Sequence, residues 1–165
     1  LSGLIIVFVC TGNTCRSPMA EAICKLLLAR RLQCGLDDLQ DRGYAVLSAG
    51  VAASTGSPAA SHAIEVVRAM GGSLERHRSR ALTAELVHQA DCLFAMTRDH
   101  LDALLDAAPD AQPRAFLLDP EGEDVPDPIG ADHPTYRRTA ETIERIITQR
   151  LDQIGIPNLS KRPAH

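Results

Sequence analysis

Residues 4–21 read LIIVFVCTGNTCRSPMAE, and this stretch decides the fold. Its first part, Leu4 to Val9, is continuously apolar and rich in β-branched residues, which is typical of a strand buried on both faces of a parallel sheet. A polar loop follows it. Ser17-Pro18 then supplies a helix N-cap with a proline at the first helical position. The stretch therefore predicts a strand, a loop and a helix in that order.

The same alternation continues along the chain. Short apolar runs predict three further strands at residues 45–47, 92–96 and 115–118, and amphipathic spacing predicts helices between them, one of them capped by Thr83. Residues 119–134 are rich in prolines and acids and predict a long functional loop. A last helix is expected from near Pro134 to Ile154. This order predicts an open, mainly parallel α/β sheet that binds ligands at the carboxyl ends of its strands.

The 165 residues are enough for one domain, which we expect over residues 1–157, followed by a disordered tail over residues 158–165. A net charge of −4 argues against a general nucleic-acid binder, because phosphate contacts need a basic surface. No apolar run approaches the ~20 residues that span a bilayer, so we expect a cytoplasmic protein that does not bind membranes.

The cysteines and histidines predict neither disulfides nor a metal site. The five cysteines cannot all pair within the chain, and their spacing fits no structural zinc site. We interpret them as reduced thiols. The histidines expected at the surface are His77, His88, His100 and His133.

The chain begins with Leu1 rather than methionine, which fits either a processed product or a piece of a longer or fused polypeptide. The sequence leaves both interpretations open. It leaves the oligomeric state open as well.

The loop after the first strand separates Cys10 from Arg16 by five residues. A tight loop of this length can turn its backbone N–H groups inward around a tetrahedral oxyanion, and the following helix dipole adds positive potential. The same field favours the thiolate, so Cys10 is the expected nucleophile. Arg16 offers a planar fork for two phosphate oxygens. Gly12 permits the turn, and Asn13 tolerates a left-handed backbone.

A thiolate that accepts a phosphoryl group also needs a proton for the leaving group, and then a base that activates water. One mobile carboxyl group can do both. The candidates in the long loop are Asp119, Glu121, Glu123, Asp124 and Asp127. Asp119 and Asp127 both precede a proline, and spacing alone does not choose between them.

The segment from Val9 to Glu21 closely resembles the signature of low-molecular-weight protein-tyrosine phosphatases. The resemblance continues through Ser48-Ala49-Gly50, Ala95-Met96-Thr97 and Asp127-Pro128 to the last helix. It implies four parallel strands with helices on both faces, a phosphocysteine intermediate on Cys10, and no metal or organic cofactor. The implied partner is a phosphorylated protein substrate.

The resemblance also implies roles for individual residues. Arg16 would clamp the phosphate, Asp127 would be the general acid, and Ser17 would hydrogen-bond the thiolate. Asn13 would organise the loop with support from Ser48 on the neighbouring strand. The other implied substrate-binding positions are Thr11, Gly12, Thr14 and Cys15.

Cys15 and His62 each have two interpretations. Family resemblance implies a reversible disulfide between Cys15 and Cys10, which would protect the nucleophile from over-oxidation. The alternative is a small packed thiol. His62 stands where the family often has a histidine bonded to the loop asparagine, and a capping or core histidine is the alternative.

Two departures from the family's tyrosine phosphatases bear on the substrate. Those enzymes place aromatic residues at the pocket mouth, but here Ile129 follows Asp127-Pro128 and Val51 follows the second strand, which weakens stacking on a phenyl ring. Thr14 stands where the tyrosine phosphatases commonly have a bulky apolar residue. With threonine at this position, the loop resembles that of the protein-arginine phosphatase branch of the family. Phosphoarginine is therefore the favoured substrate and phosphotyrosine the alternative. Ile129 fits neither branch, because the arginine phosphatases also keep an aromatic there.

Two further classes share parts of this pattern. Thioredoxin-coupled arsenate reductases have this fold and a very similar loop, but they pass oxidation to a further cysteine pair, whereas Cys92 stands without a nearby partner. A catalytically inactive phosphate-binding module is disfavoured because nucleophile, clamp and acid are all present.

Overall fold

The computed structural model describes residues 3–161. They form a four-stranded sheet in the order β2-β1-β3-β4, in which every pairing is parallel. The strands are β1 (Leu4–Cys10), β2 (Tyr44–Gly50), β3 (Cys92–Ala95) and β4 (Ala115–Leu117). The predicted α/β fold with four parallel strands is confirmed.

Five α-helices connect and cover the strands. They are α1 (Arg16–Leu32), α2 (Ser61–Met70), α3 (Ala84–Gln89), α4 (Arg98–Ala107) and α5 (His133–Ile154). The predicted cap of α3 is confirmed, because the Thr83 side chain accepts the Leu86 N–H. The predicted cap at Ser17 is wrong. The first helix begins at Arg16, and the Ser17 hydroxyl is used in the loop instead.

The strand β1 is buried on both faces, as its unbroken apolar sequence predicts. Ile6 and Phe8 pack into a core with α1, α2 and α5. Val7 and Val9 pack into a second core with α3 and α4. The alternation of side chains along a strand thus divides one apolar run between two layers of helices.

The carboxyl ends of β1, β2 and β3 meet at one edge of the sheet. Cys10 pairs with Gly50 of β2, and Val9 pairs with Ala95 of β3. Gly50 is required here, because a Cβ atom at this position would lie 2.3 Å from the Thr11 carbonyl oxygen. The loop after β1 can therefore lie directly against the end of β2.

The expected tail begins within the described residues. Leu159–Lys161 form a 3-10 turn near α1, where the sequence predicts disorder, and residues 162–165 lie outside the described residues. Leu1 also lies outside them. Among the helices that the structure describes, none has the length and apolar character needed to cross a membrane.

Candidate active site

Cys10 lies at the carboxyl end of β1 and is 3% exposed. Its Sγ atom is 2.8 Å from the hydroxyl oxygen of Ser17, which is buried in the first turn of α1. The hydroxyl group of Ser17 is therefore placed to donate to the sulfur when Cys10 is a thiolate.

The backbone of the loop offers an unbroken series of donors. Within residues 3–161, no hydrogen bond has a backbone N–H of residues 11–17 as its donor. Asn13 adopts a left-handed backbone conformation, with φ of 57°, as its residue type allows. Successive N–H groups in a tight turn before a helix form a concave site that attracts an oxyanion.

The side chain of Asn13 stabilises this loop through hydrogen bonds to neighbouring elements. It is fully buried, and its Nδ2 atom donates to the hydroxyl oxygens of Ser17 and Ser48, each at 2.9 Å. Its Oδ1 atom accepts the backbone N–H of Arg80 at 3.0 Å. Ser48 in turn donates to the Glu21 carboxylate at 2.9 Å. Both ends of the amide are therefore paired, which fixes its orientation and the shape of the loop.

The contact expected between His62 and Asn13 is not formed. His62 lies at the start of α2, where its ring packs against Tyr136 and its Nδ1 atom is 3.6 Å from Glu65. His77, which the sequence places at the surface, bonds the Asn13 carbonyl oxygen at 2.7 Å instead. The Asn13 amide is already paired with other groups, so a histidine at position 62 has no role in holding it.

Arg16 is aligned by contacts on two of its nitrogens. It is 5% exposed, and its Nη1 atom donates to the Val125 carbonyl oxygen at 3.0 Å. Its Nη2 atom lies 3.4 Å from the carboxylate of Asp127, whose side chain is 43% exposed. These two contacts orient the guanidinium.

The five candidate acids occupy different environments. Asp119 is buried and accepts the N–H of Glu121 in its own turn, at 2.9 Å. Asp124 accepts a backbone N–H at the start of α4, at 2.8 Å. Within residues 3–161, Asp127 is the candidate that forms an ion pair with Arg16. The two glutamates are exposed.

Cys15 is buried on the helix side of the loop. Its Sγ atom is 3.3 Å from the Tyr136 hydroxyl of α5, and both Cys10 and Cys15 are free thiols. Burial, followed by the bond to Cys15, raises the pKa of Tyr136 well above its usual value. Tyr136 therefore stays neutral and can donate to the sulfur.

The mouth of the site has aliphatic residues where stacking would need rings. Ile129 follows the Asp127 turn and is 68% exposed, and Val51 lies exposed after β2. Thr14 is half-buried, with its hydroxyl oxygen 3.8 Å from the sulfur of Cys15.

A second histidine expected at the surface also lies in the site. His100 of α4 is buried, and its Nε2 atom is 2.7 Å from the Thr11 hydroxyl oxygen. No spacing in the sequence signals this contact, which joins residues far apart in the chain.

Two further observations concern metal ligands and thiol relays. Between Gly3 and Lys161, no group of three or more His, Cys, Asp or Glu side chains could hold a metal ion. Cys92 pairs with Ile6 in the sheet, four residues before Cys10 along β1, which corresponds to about 13 Å. A thiol relay from Cys10 to Cys92 would have to cross that distance.

The comparisons with known proteins agree with this geometry. A family model described as low molecular weight phosphotyrosine protein phosphatase matches residues 5–158. A protein-arginine phosphatase of Bacillus subtilis (strain 168) is 37% identical over 153 residues, covering 90% of this chain and 95% of the relative. The low molecular weight protein-tyrosine phosphatase Etp of Escherichia coli (strain K12) is 33% identical, covering 94% and 95%.

A solved structure is similar as well. It is that of the YwlE arginine phosphatase with a cysteine-to-serine mutation and a phosphorylated active-site serine. Its TM-score is 0.79 at 34% identity, covering 92% of this chain and 95% of that one.

Proposed function

Because the chain belongs to the low molecular weight phosphotyrosine protein phosphatase family, we propose that it dephosphorylates protein side chains through a phosphocysteine on Cys10, preferring phosphoarginine. The chain is a phosphatase of this family. The observation that carries the proposal is the series of backbone N–H groups from residue 11 to residue 17, which have no acceptor within residues 3–161, directly follow Cys10 and include the oriented Arg16. Donors so arranged stabilise the charge of a transferring phosphoryl group.

In the first half of the reaction, the phosphoryl oxygens bind to the loop N–H groups and to Arg16. The Cys10 thiolate attacks phosphorus, the P–S bond forms, and the bond from phosphorus to the substrate nitrogen or oxygen breaks. Asp127, in its protonated form, gives its proton to the leaving atom. The phosphorylated active-site serine of the related YwlE mutant supports transfer to the side chain at the nucleophile position.

In the second half, the Asp127 carboxylate accepts a proton from water, and the resulting hydroxide attacks phosphorus. The P–S bond breaks and inorganic phosphate forms. The electron pair returns to Cys10 as a thiolate, which Ser17 stabilises by donating a hydrogen bond at 2.8 Å. Asp127 is again protonated, so the cycle closes without a cofactor.

The preference for phosphoarginine rests on the pocket mouth. The half-exposed Asp127 carboxyl group keeps one oxygen free to accept a hydrogen bond from a guanidinium group while the other carries the proton, and Ile129 and Val51 offer no ring to stack on a phenol. Thr14 and the Bacillus subtilis relative favour the same substrate. Phosphotyrosine is the second candidate, favoured by the similarity to Etp.

The test of the substrate is phosphate release from phosphoarginine and phosphotyrosine peptides of the same sequence, under reducing conditions. We expect kcat/KM to be at least about tenfold higher for phosphoarginine, because this ratio measures discrimination in the transition state. A comparable excess for phosphotyrosine would assign the chain to the tyrosine branch. Activity on neither peptide would contradict the proposal.

The role of Asp127 is tested with two isosteric substitutions. Asp127→Asn should slow peptides with poor leaving groups by about 10²- to 10³-fold and slow activated aryl phosphates far less, because only the former need the proton. Asp119→Asn is the matched control, since an amide oxygen still accepts the turn N–H that Asp119 accepts. If instead Asp119→Asn slowed the poor leaving groups selectively and Asp127→Asn did not, Asp119 would be the general acid.

We also propose a cytoplasmic location. A thiolate nucleophile functions in a reducing compartment, and the cysteines at positions 10, 15, 24, 34 and 92 are free.

A further inference from the structure

Thr11, the residue after the nucleophile, is held at two points. Its carbonyl oxygen accepts the Ala52 N–H at 3.0 Å, and its hydroxyl oxygen is 2.7 Å from Nε2 of His100. Thr11 is exposed, so packing does little to fix it. The position of its own N–H, the first in the series next to Cys10, therefore depends on these two hydrogen bonds.

His100 is a rigid anchor for this contact. It is 5% exposed, and its backbone N–H donates to the hydroxyl oxygen of Thr97, the residue that caps α4. The strand β3 lies parallel to β1, so α4 begins at the same edge of the sheet as the loop of residues 11–15, which we call the phosphate loop. Within residues 3–161 the second ring nitrogen, Nδ1, is buried and has no hydrogen-bond partner. Among the described residues, the contact to Thr11 is thus the one hydrogen bond of the ring.

The surroundings keep this imidazole uncharged. Burial, followed by the positive charge of Arg16 on α1, lowers the pKa of His100 to about 4. Asp124 and Asp127, on the loop between β4 and α5 that we call the acid-bearing loop, and Asp99 of α4 oppose this shift without reversing it. At neutral pH the ring therefore holds Thr11 without adding a second cation beside Arg16.

The turn that presents His100 also anchors the loop that carries Asp127. The backbone N–H of Arg98 donates to the Asp124 carboxylate at 2.8 Å, and the N–H of Val125 donates to the Met96 carbonyl oxygen at 2.9 Å. Residues 96–100 thus contact the phosphate loop on one side and the acid-bearing loop on the other.

We propose that His100 is a positioning residue for phosphoryl transfer, which fixes Thr11 and its N–H relative to Cys10 and to the loop carrying Asp127. The inference rests on the proposed function, since it assigns a role within the same site. His100 acts through Thr11 and needs no contact with the substrate.

The test is a double-mutant cycle between His100→Ala and Thr11→Val, with His100→Gln as the conservative variant. We expect each single variant to lose about tenfold in kcat/KM, mostly in kcat, and a smaller factor in affinity for inorganic phosphate, because the displaced N–H contacts the phosphoryl oxygens and stabilises most strongly the charge that develops in the transition state. The double variant should lose no more than either single variant. His100→Gln should recover most of the activity, since its amide can reach the Thr11 oxygen.

His88→Ala, at an exposed position of α3, is the control and should match the wild type. Thermal unfolding of every variant reports whether it is folded. An impaired His100→Ala beside a fully active Thr11→Val would overturn the inference, and so would additive losses in the double variant.

The affinity for inorganic phosphate, measured by calorimetry, provides a second readout that needs no turnover. If the wild type binds phosphate but cleaves neither phosphopeptide, the proposed function fails. The phosphate affinities of the same variants then still decide the inference on His100. Non-additive losses of affinity in the double variant would support it, and additive losses would overturn it.

Discussion

Replacing Cys10 with serine is expected to abolish turnover and to leave oxyanion binding nearly unchanged. A serine hydroxyl is a weak nucleophile without an adjacent base, and within residues 3–161 the Cys10 sulfur is hydrogen-bonded to the Ser17 hydroxyl rather than to a general base. We expect kcat to fall by about 10⁴-fold or more. The phosphate site consists of backbone N–H groups and Arg16, none of which the substitution removes. Phosphate release and the calorimetric dissociation constant for inorganic phosphate measure the two properties.

Cys34→Ser is the matched control, because Cys34 is a free, half-buried thiol outside the loop. It should leave both quantities at wild-type values. Mass spectrometry of Cys10→Ser after incubation with substrate adds a direct readout, since a phosphoryl group retained at position 10 would identify the acceptor. Full turnover in Cys10→Ser would exclude Cys10 as the nucleophile.

The fold could be predicted because its signals are local. The apolar run of β1 and the alternation of short strands with amphipathic segments follow from the periodicity of neighbouring residues. The loop between Cys10 and Arg16 is local as well, and its contacts with Ser17 lie within one stretch of chain.

The supports of the loop could not be predicted, because they depend on long-range contacts. His77 and Arg80 bond Asn13 across 64 and 67 residues, and His100 bonds Thr11 across 89. Six histidines are present, and no spacing distinguishes the two that contact the loop within residues 3–161 from the others. For the same reason the sequence left two interpretations of His62 open, and the structure shows its ring packed against Tyr136 instead of bonded to Asn13.

The choice among the acids shows what the structure adds. Asp119 and Asp127 share the same sequence feature, a following proline, but differ in what surrounds them. Asp119 is buried and occupied in its own turn, whereas the half-exposed Asp127 lies beside Arg16. A general acid must reach both substrate and water, and only the second environment allows this.

Replacing Arg16 with lysine is expected to lower both catalysis and binding. The guanidinium contacts the Val125 carbonyl oxygen and the Asp127 carboxylate through separate nitrogens, and a single ammonium nitrogen cannot reproduce this fork. We expect kcat/KM to fall by about 10²- to 10³-fold, the usual cost of removing a donor to transition-state charge. The affinity for inorganic phosphate should fall as well, by about tenfold, because bidentate contacts to its oxygens are lost.

The contrast between this variant and Cys10→Ser separates the two roles. If Arg16 holds the phosphoryl group while Cys10 attacks it, only the lysine variant loses phosphate affinity, and both lose turnover. Arg42→Lys is the control, since Arg42 is exposed just before β2, at the end of the sheet opposite to the loop. Unchanged phosphate affinity in a folded Arg16→Lys would mean that the backbone N–H groups alone bind the anion. Arg16 would then act only on the transition state, as a donor that the ground-state complex does not need.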